Sequence, residues 1–184
     1  MFQKLIAKIA EELNKSGLPY MVIGGQAVLL YGEPRLTKDI DITLGLGVDQ
    51  CKKVFDMAHG LGLKLLVDDP TNFVNQFMVL PLLDKETQIK IDLIFSFTPY
   101  ESEAIKRAKK INFENTEVNF ASLEDVVIHK IFSGRARDLE DVKLILLKNK
   151  NYDKEYIFKW LAEFDKTLLE DFPKRFKSVL DELK

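Results

Sequence analysis

Cysteine is nearly absent: Cys51 is the single one among 184 residues, and histidine occurs only as His59 and His129. An intramolecular disulfide is therefore excluded, no Cys/His cluster has zinc-ligand spacing, and a reducing, cytoplasmic setting is expected. Long apolar runs are missing as well. No segment approaches the roughly 18–20 apolar residues that cross a bilayer, so no membrane association is expected. Met1 to Leu13 interleaves Phe2, Leu5, Ile6, Ile9 and Leu13 with Lys and Glu, which is the spacing of an amphipathic helix rather than a signal peptide. Charge of one sign is lacking too: 27 Lys and Arg stand against 29 Asp and Glu, for a net charge of −2. There is no global basic field to hold a polyanion, and such a partner would need a local patch. What is present is a globular composition, 46% hydrophobic and 30% charged with 13 Phe, enough for one mixed α/β core and a small helical lobe.

Apolar spacing predicts a helix over 3–15 ended by Ser16-Gly17, a strand over 20–23, a break at Gly24-Gly25 and a short helix over 26–31. A strand over 39–44, a helix over 48–60 and strands over 64–67, 77–82 and 88–95 follow, with a hairpin turn at 83–86 and a loop over 67–77. Pro99 opens a helix through Ala108, and 111–113 with 117–120 form a hairpin about Asn115. Ser122, with Asp125 three residues on, resembles a capping box, and everything after it reads as helix: 123–132, 137–148, 153–164 and 168–183. The expected fold is thus α/β (α+β), a mixed sheet with flanking helices over 1–121 and a C-terminal helical region over 122–184 packed on it. Phe158, Trp160, Phe164, Phe172 and Phe176 make that tail aromatic-rich, as a core or as a dimer contact.

The chemistry concentrates in two strands. Asp39 and Asp41 are two apart, so they project from one face of their strand while Ile40 and Ile42 point to the other. Two carboxylates held that closely repel, and a divalent cation relieves the conflict; Mg²⁺ is often held by one or two carboxylates together with substrate phosphates. Gly24-Gly25 lets backbone approach a ligand closely, and the helix after it offers unpaired N–H groups to an anion. Neither Gly-Gly nor Asp-Ile-Asp is specific alone. A third acid, Asp92, lies opposite the apolar face formed by Ile89, Ile91, Leu93 and Phe95. Alone it reads as a satisfied polar contact or an exposed side-chain position, and beside the first motif as part of the same site.

Together these residues resemble the DNA polymerase beta-like nucleotidyltransferase superfamily, whose pattern is a hydrophobic strand, Gly-Gly or Gly-Ser, a spacer, Asp-hydrophobic-Asp and a later strand Asp. Here Ile23-Gly24-Gly25 precedes Asp39 by a spacer of thirteen residues, Gln26 to Lys38, and Asp92 supplies the late acid. Gly-Gly-Gln-Ala followed by Gly32, Arg35 and Thr37 is similar to the branch holding antibiotic nucleotidyltransferases and abortive-infection toxins. The resemblance implies that Asp39 and Asp41 bind Mg²⁺ (or Mn²⁺) on a nucleoside triphosphate. Asp92 then completes a second metal site or acts as base for the attacking hydroxyl, and pyrophosphate leaves. Many catalytic members carry Ser after the first glycine; Gly25 and Gln26 stand here, so backbone amides or the Gln26 side chain would meet the phosphate.

Arg35 flanks the acids as a phosphate contact or a solvated charge, and Thr37 reads as structural. In the tail, Lys130 sits on an apolar helix face and calls for an anion. Related proteins carry a similar Lys, Arg and Arg-Asp-x-x-Asp, so Lys130, Arg135 and Arg137 resemble a phosphate clamp; the competing reading staples Lys130 or Arg135 to Asp138 and Asp141. The expected activity is transfer of a nucleoside monophosphate to a hydroxyl of a small molecule, an RNA end or a protein. The alternative is a degenerate nucleotide-binding or regulatory module, or the toxin component of a toxin–antitoxin pair, with a homodimer or antitoxin partner.

Overall fold

The computed structural model describes residues 1–34, 36–113 and 115–183. In chain order the elements are α1 (Phe2–Lys15), β1 (Tyr20–Ile23), α2 (Gly24–Tyr31), β2 (Asp39–Leu44), α3 (Cys51–Gly60), β3 (Lys64–Leu65), α4 (Pro70–Phe77), β4 (Val79–Leu83), β5 (Lys90–Phe95), α5 (Pro99–Lys106), β6 (Lys109–Phe113) and β7 (Thr116–Phe120). Four helices close the chain: α6 (Leu123–Ser133), α7 (Ala136–Lys148), α8 (Lys154–Leu168) and α9 (Phe172–Asp181). No helix among the described residues is long and apolar enough to cross a membrane.

The chain divides into two compact units, one of Met1–Gln26 with Leu36–Ala121 and the other of Ala27–Arg35 with Ser122–Lys184. The first holds the whole mixed sheet, in the order β3-β4-β5-β2-β1-β7-β6. At its centre β2 runs parallel to β5 and antiparallel to β1, while β4 runs antiparallel to β5. Period-two alternation buries Ile40, Ile42 and Leu44 of β2, Leu80 and Leu82 of β4, and Ile91, Leu93 and Phe95 of β5 on one face. Each such side chain contributes about 1.5–3 kcal/mol, which fixes the register and, with it, which residues stand on the opposite face. Helix α1 buries Leu5, Ile6, Ile9 and Leu13 and packs on β7, where the Asn14 amide donates to the Glu117 carbonyl at 2.8 Å.

Two expectations need correction. The 67–77 segment is not a loop throughout: Asp69 caps the N-terminus of α4 by accepting from the Asn72 N–H, Pro70 occupies the first turn, and Met78 ends the helix in the left-handed region. The strand expected over 64–67 pairs only at Lys64 and Leu65. Leu66 N–H still reaches the Pro81 carbonyl at 3.0 Å, but a residue's N–H and C=O face the same neighbour in an antiparallel ladder, and proline has no N–H to return. The β3 ladder stops there.

The second unit is helical. Ser122 caps α6 by accepting from the Asp125 N–H, and the fully buried Asp125 carboxylate takes hydrogen bonds from Ser122 Oγ at 2.6 Å and Tyr156 Oη at 2.9 Å. Residues at the end of α2 join this unit through α7, where Asn149 Nδ2 donates to the Tyr31 carbonyl and Lys148 Nζ to the Gly32 carbonyl. Trp160, Leu161, Phe172 and Phe176 are buried, and Phe132 stacks on Phe172 at 5.1 Å.

Candidate metal and nucleotide site

The sheet brings three acids onto one face. Asp41 is in register with Asp92 across the parallel β2–β5 pair, and Asp39 with Lys90. Directly paired residues project from the same face, with the strands about 4.8 Å apart. Asp41 and Asp92 are half-buried and Asp39 is exposed at the strand's start. Burial pushes the Asp92 carboxyl above its ordinary range, the Asp39 charge pushes it further, and the Lys90 ammonium partly offsets both.

Gly24 shows how closely backbone meets this face. Ile23 is paired with Asp41, so the chain turns into α2 directly beside that carboxylate. Gly24 has φ +62°, and a Cβ built on it would lie 1.9 Å from Asp41 Oδ2. The carboxylate fills the volume that any side chain here would need, so both the conformation and the contact require glycine. Gly25 is buried in the first turn of α2. Gln26 is 8% exposed, and its Nε2 donates to Thr37 Oγ1 at 2.7 Å, so the side chain is engaged with the loop that leads into β2. Arg35 lies outside the described residues.

No group of three or more His, Cys, Asp or Glu side chains among the described residues stands in metal-holding geometry. Asp41 and Asp92 side by side, with Asp39 two residues along the same face, would offer one or two carboxylates to a divalent ion whose shell water and phosphate complete. The all-oxygen donor set suits a hard cation.

Lys90 escaped the sequence reading. Its signal was the same alternation that exposed Asp92, applied two residues earlier. The row Lys64, Leu83, Lys90, Asp39 runs across four strands in register, so two lysines share the acidic face.

Lys130 and Arg135 belong to the second unit. Lys130 is 7% exposed, and its Nζ lies 2.5 Å from Asp138 Oδ1 and 3.0 Å from Asp141 Oδ2. Arg135 Nε and Ser133 Oγ both donate to Asp138 Oδ2. Burial pushes the Asp138 carboxyl up, but hydrogen bonds from Lys130, Ser133 and Arg135 outweigh it and bring it down to about 2. The geometry is that of a staple between α6 and α7.

Residues 2–178 match a protein family described as nucleotidyltransferase of unknown function (DUF6036). No curated protein matches the chain. Among solved structures it is similar to ANT(2″)-Ia in complex with adenylyl-2″-tobramycin, with a TM-score of 0.58 and 16% identity over 95% of this chain and 98% of that one. It is also similar to an antigenic nucleotidyltransferase-like protein from Paracoccidioides brasiliensis, with a TM-score of 0.56 and 16% identity over 95% and 91% of the two chains. The lincosamide antibiotic adenylyltransferase LnuA, lincomycin-bound, has a TM-score of 0.50 and 17% identity over 72% of this chain and 89% of that one. At these identities the likeness is one of fold, and it is the fold that the Gly-Gly and Asp-Ile-Asp residues resemble. The family match runs almost end to end, and with it the chain belongs to this nucleotidyltransferase family.

Proposed function

We propose that the protein moves a nucleoside monophosphate from a nucleoside triphosphate to a hydroxyl acceptor on a small molecule, an RNA end or a protein. The observation that carries this reading is the close approach of Gly24 to Asp41 on a sheet face shared with Asp92 and Asp39. In it, Asp39, Asp41 and Asp92 would hold a divalent ion, Mg²⁺ or Mn²⁺, which when bound would neutralise phosphate charge. Gly24 and Gly25 present backbone N–H groups at the start of α2 to the triphosphate, whose negative charge the helix terminus favours. Asp92, in register with Asp41 on the same face, would complete that site or, as base, take the proton of the attacking hydroxyl while pyrophosphate leaves. Lys90, beside Asp39, balances charge on the same face. The names of ANT(2″)-Ia and LnuA, which refer to adenylyl groups, make ATP the first donor to try.

Calorimetry with Mg²⁺ and ATP, GTP, CTP or UTP, paired with a labelled-nucleotide transfer assay, tests the proposal. Metal-dependent binding and transfer are expected in the native chain and lost in the Asp39→Asn, Asp41→Asn double variant with the fold intact. A double variant that still binds and transfers normally overturns it. Binding without transfer to any acceptor favours a regulatory or toxin-type module.

A further inference from the structure

We infer that Gln26 is a positioning residue for the acidic strand, acting through Thr37, and that it does for Asp39 what the β1 ladder does for Asp41. The inference rests on the metal-site reading above. The β1–β2 ladder ends at Ile23 paired with Asp41, because the chain turns into α2 at Gly24. Asp39, two residues earlier, is in register with Lys90 of β5, and the β1–β2 register does not extend to it. On the side where β1 has ended stands the first turn of α2, and from that turn Gln26 donates its Nε2 to Thr37 Oγ1 at 2.7 Å. Thr37 lies two residues before Asp39.

A buried primary amide without a hydrogen-bond partner is costly, so the 8%-exposed Gln26 holds the loop in place. Gly24 meets the same strand at its other acid, with the space of its absent Cβ filled by Asp41. The first turn of α2 therefore grips the Asp39–Asp41 segment at two points, one on each side of Asp39. Amides that face phosphate and carboxylates that face its metal are set by one piece of backbone, and a shift in either moves both. Thr37 is half-buried and precedes β2, so its isosteric replacement removes the hydroxyl without emptying a core site.

The test is a double-mutant cycle of Gln26→Leu and Thr37→Val, with Thr37→Ser as the conservative variant. It is read by Mn²⁺ affinity in the presence of a non-hydrolysable ATP analogue and, separately, by thermal unfolding. Each single variant is expected to weaken Mn²⁺ binding about 10-fold, the effect typical of removing a hydrogen bond that orients a metal ligand. The double variant should be no weaker than either single, and Thr37→Ser should stay close to the native protein. Additive losses, or loss of analogue binding without metal in Gln26→Leu alone, would make Gln26 a direct phosphate ligand and overturn the inference. Lowered stability with Mn²⁺ affinity within about twofold of native would reduce the pair to packing and overturn it equally; the Thr37→Val arm decides this even if Gln26→Leu does not fold. Failure of the native chain to bind Mn²⁺ with the analogue would instead remove the metal-site reading itself.

Discussion

Replacing Gly24 by alanine should silence the site while leaving most of the fold standing. Two costs arise, and a second glycine separates them. The first is conformational: Gly24 has φ +62°, and an L-residue forced into the left-handed region loses roughly 1–2 kcal/mol. The second is steric. The new Cβ would lie 1.9 Å from Asp41 Oδ2, whereas ordinary contact begins at 3.4 Å, so the carboxylate must retreat by about 1.5 Å or the start of α2 must move. Misplacing a reacting group by roughly 1 Å costs about 100-fold in rate. Gly17 provides the control, because it has the same φ of +62° with nothing within 4 Å of its built Cβ. Gly17→Ala should lose a similar 1–2 kcal/mol or so in urea unfolding and keep its metal-dependent nucleotide binding and transfer. Gly24→Ala should lose that stability and, in the same assays, about 100-fold in transfer. Transfer and Mg²⁺-nucleotide affinity within about threefold of native in Gly24→Ala would show that Asp41 does not depend on the empty Cβ position, and the account of the site would fail.

Two further predictions concern the staple in the second unit. Lys130→Met leaves two buried carboxylates, Asp138 and Asp141, without their ammonium and should cost about 3–5 kcal/mol in equilibrium unfolding; a loss under about 1 kcal/mol would show that the buried pair carries little. The folded Asp138 carboxyl, at about 2 against an ordinary 3.8, takes up its proton after the unfolded chain does as pH falls. Its contribution of about 2 kcal/mol is therefore whole above about pH 5, shrinks as pH falls and is gone below about pH 2. Asp138→Asn should flatten the fall of the urea midpoint between those limits, and an unchanged acid limb would contradict the assignment.

Much of this architecture could be read before any coordinates. The alternation of acids and isoleucines in β2 announced a two-faced strand, and Ser122 with Asp125 marked where sheet gives way to helix. Less legible was the stretch 64–83. Asp69-Pro70 is a helix start by residue type, yet the few apolar residues that follow give an eight-residue helix little periodic signal. The early end of β3 depends on which neighbour Pro81 faces, a property of pairing rather than of the strand's own residues. Asp92 shows the same division. Its position opposite an apolar face followed from period two, but its place beside Asp41 required knowing that β5 pairs with β2, in parallel and in that register. A one-residue slip would have turned Asp92 into the core and Ile91 onto the acidic face. Gln26 departs from the Gly-Ser pattern, whereas its bond to Thr37 spans a loop whose path no local signal predicts.

The electrostatics of that face explain why its parts must be taken together. Asp92 is pushed toward its protonated form first by burial and then by the charge of Asp39. Both influences disfavour a lone carboxylate, and a bound cation would oppose both. Lys90 supplies a fraction of that relief permanently, from the strand that carries Asp92. It eases the face without cancelling the net push on Asp92, which remains upward. Asp39 would contribute differently, from an exposed strand end. Such a ligand is useful to a metal only if its backbone is fixed by something else, and the sheet offers it one neighbour where Asp41 has two. On the reading proposed above, that asymmetry is what the buried Gln26, bonded to Thr37, would offset.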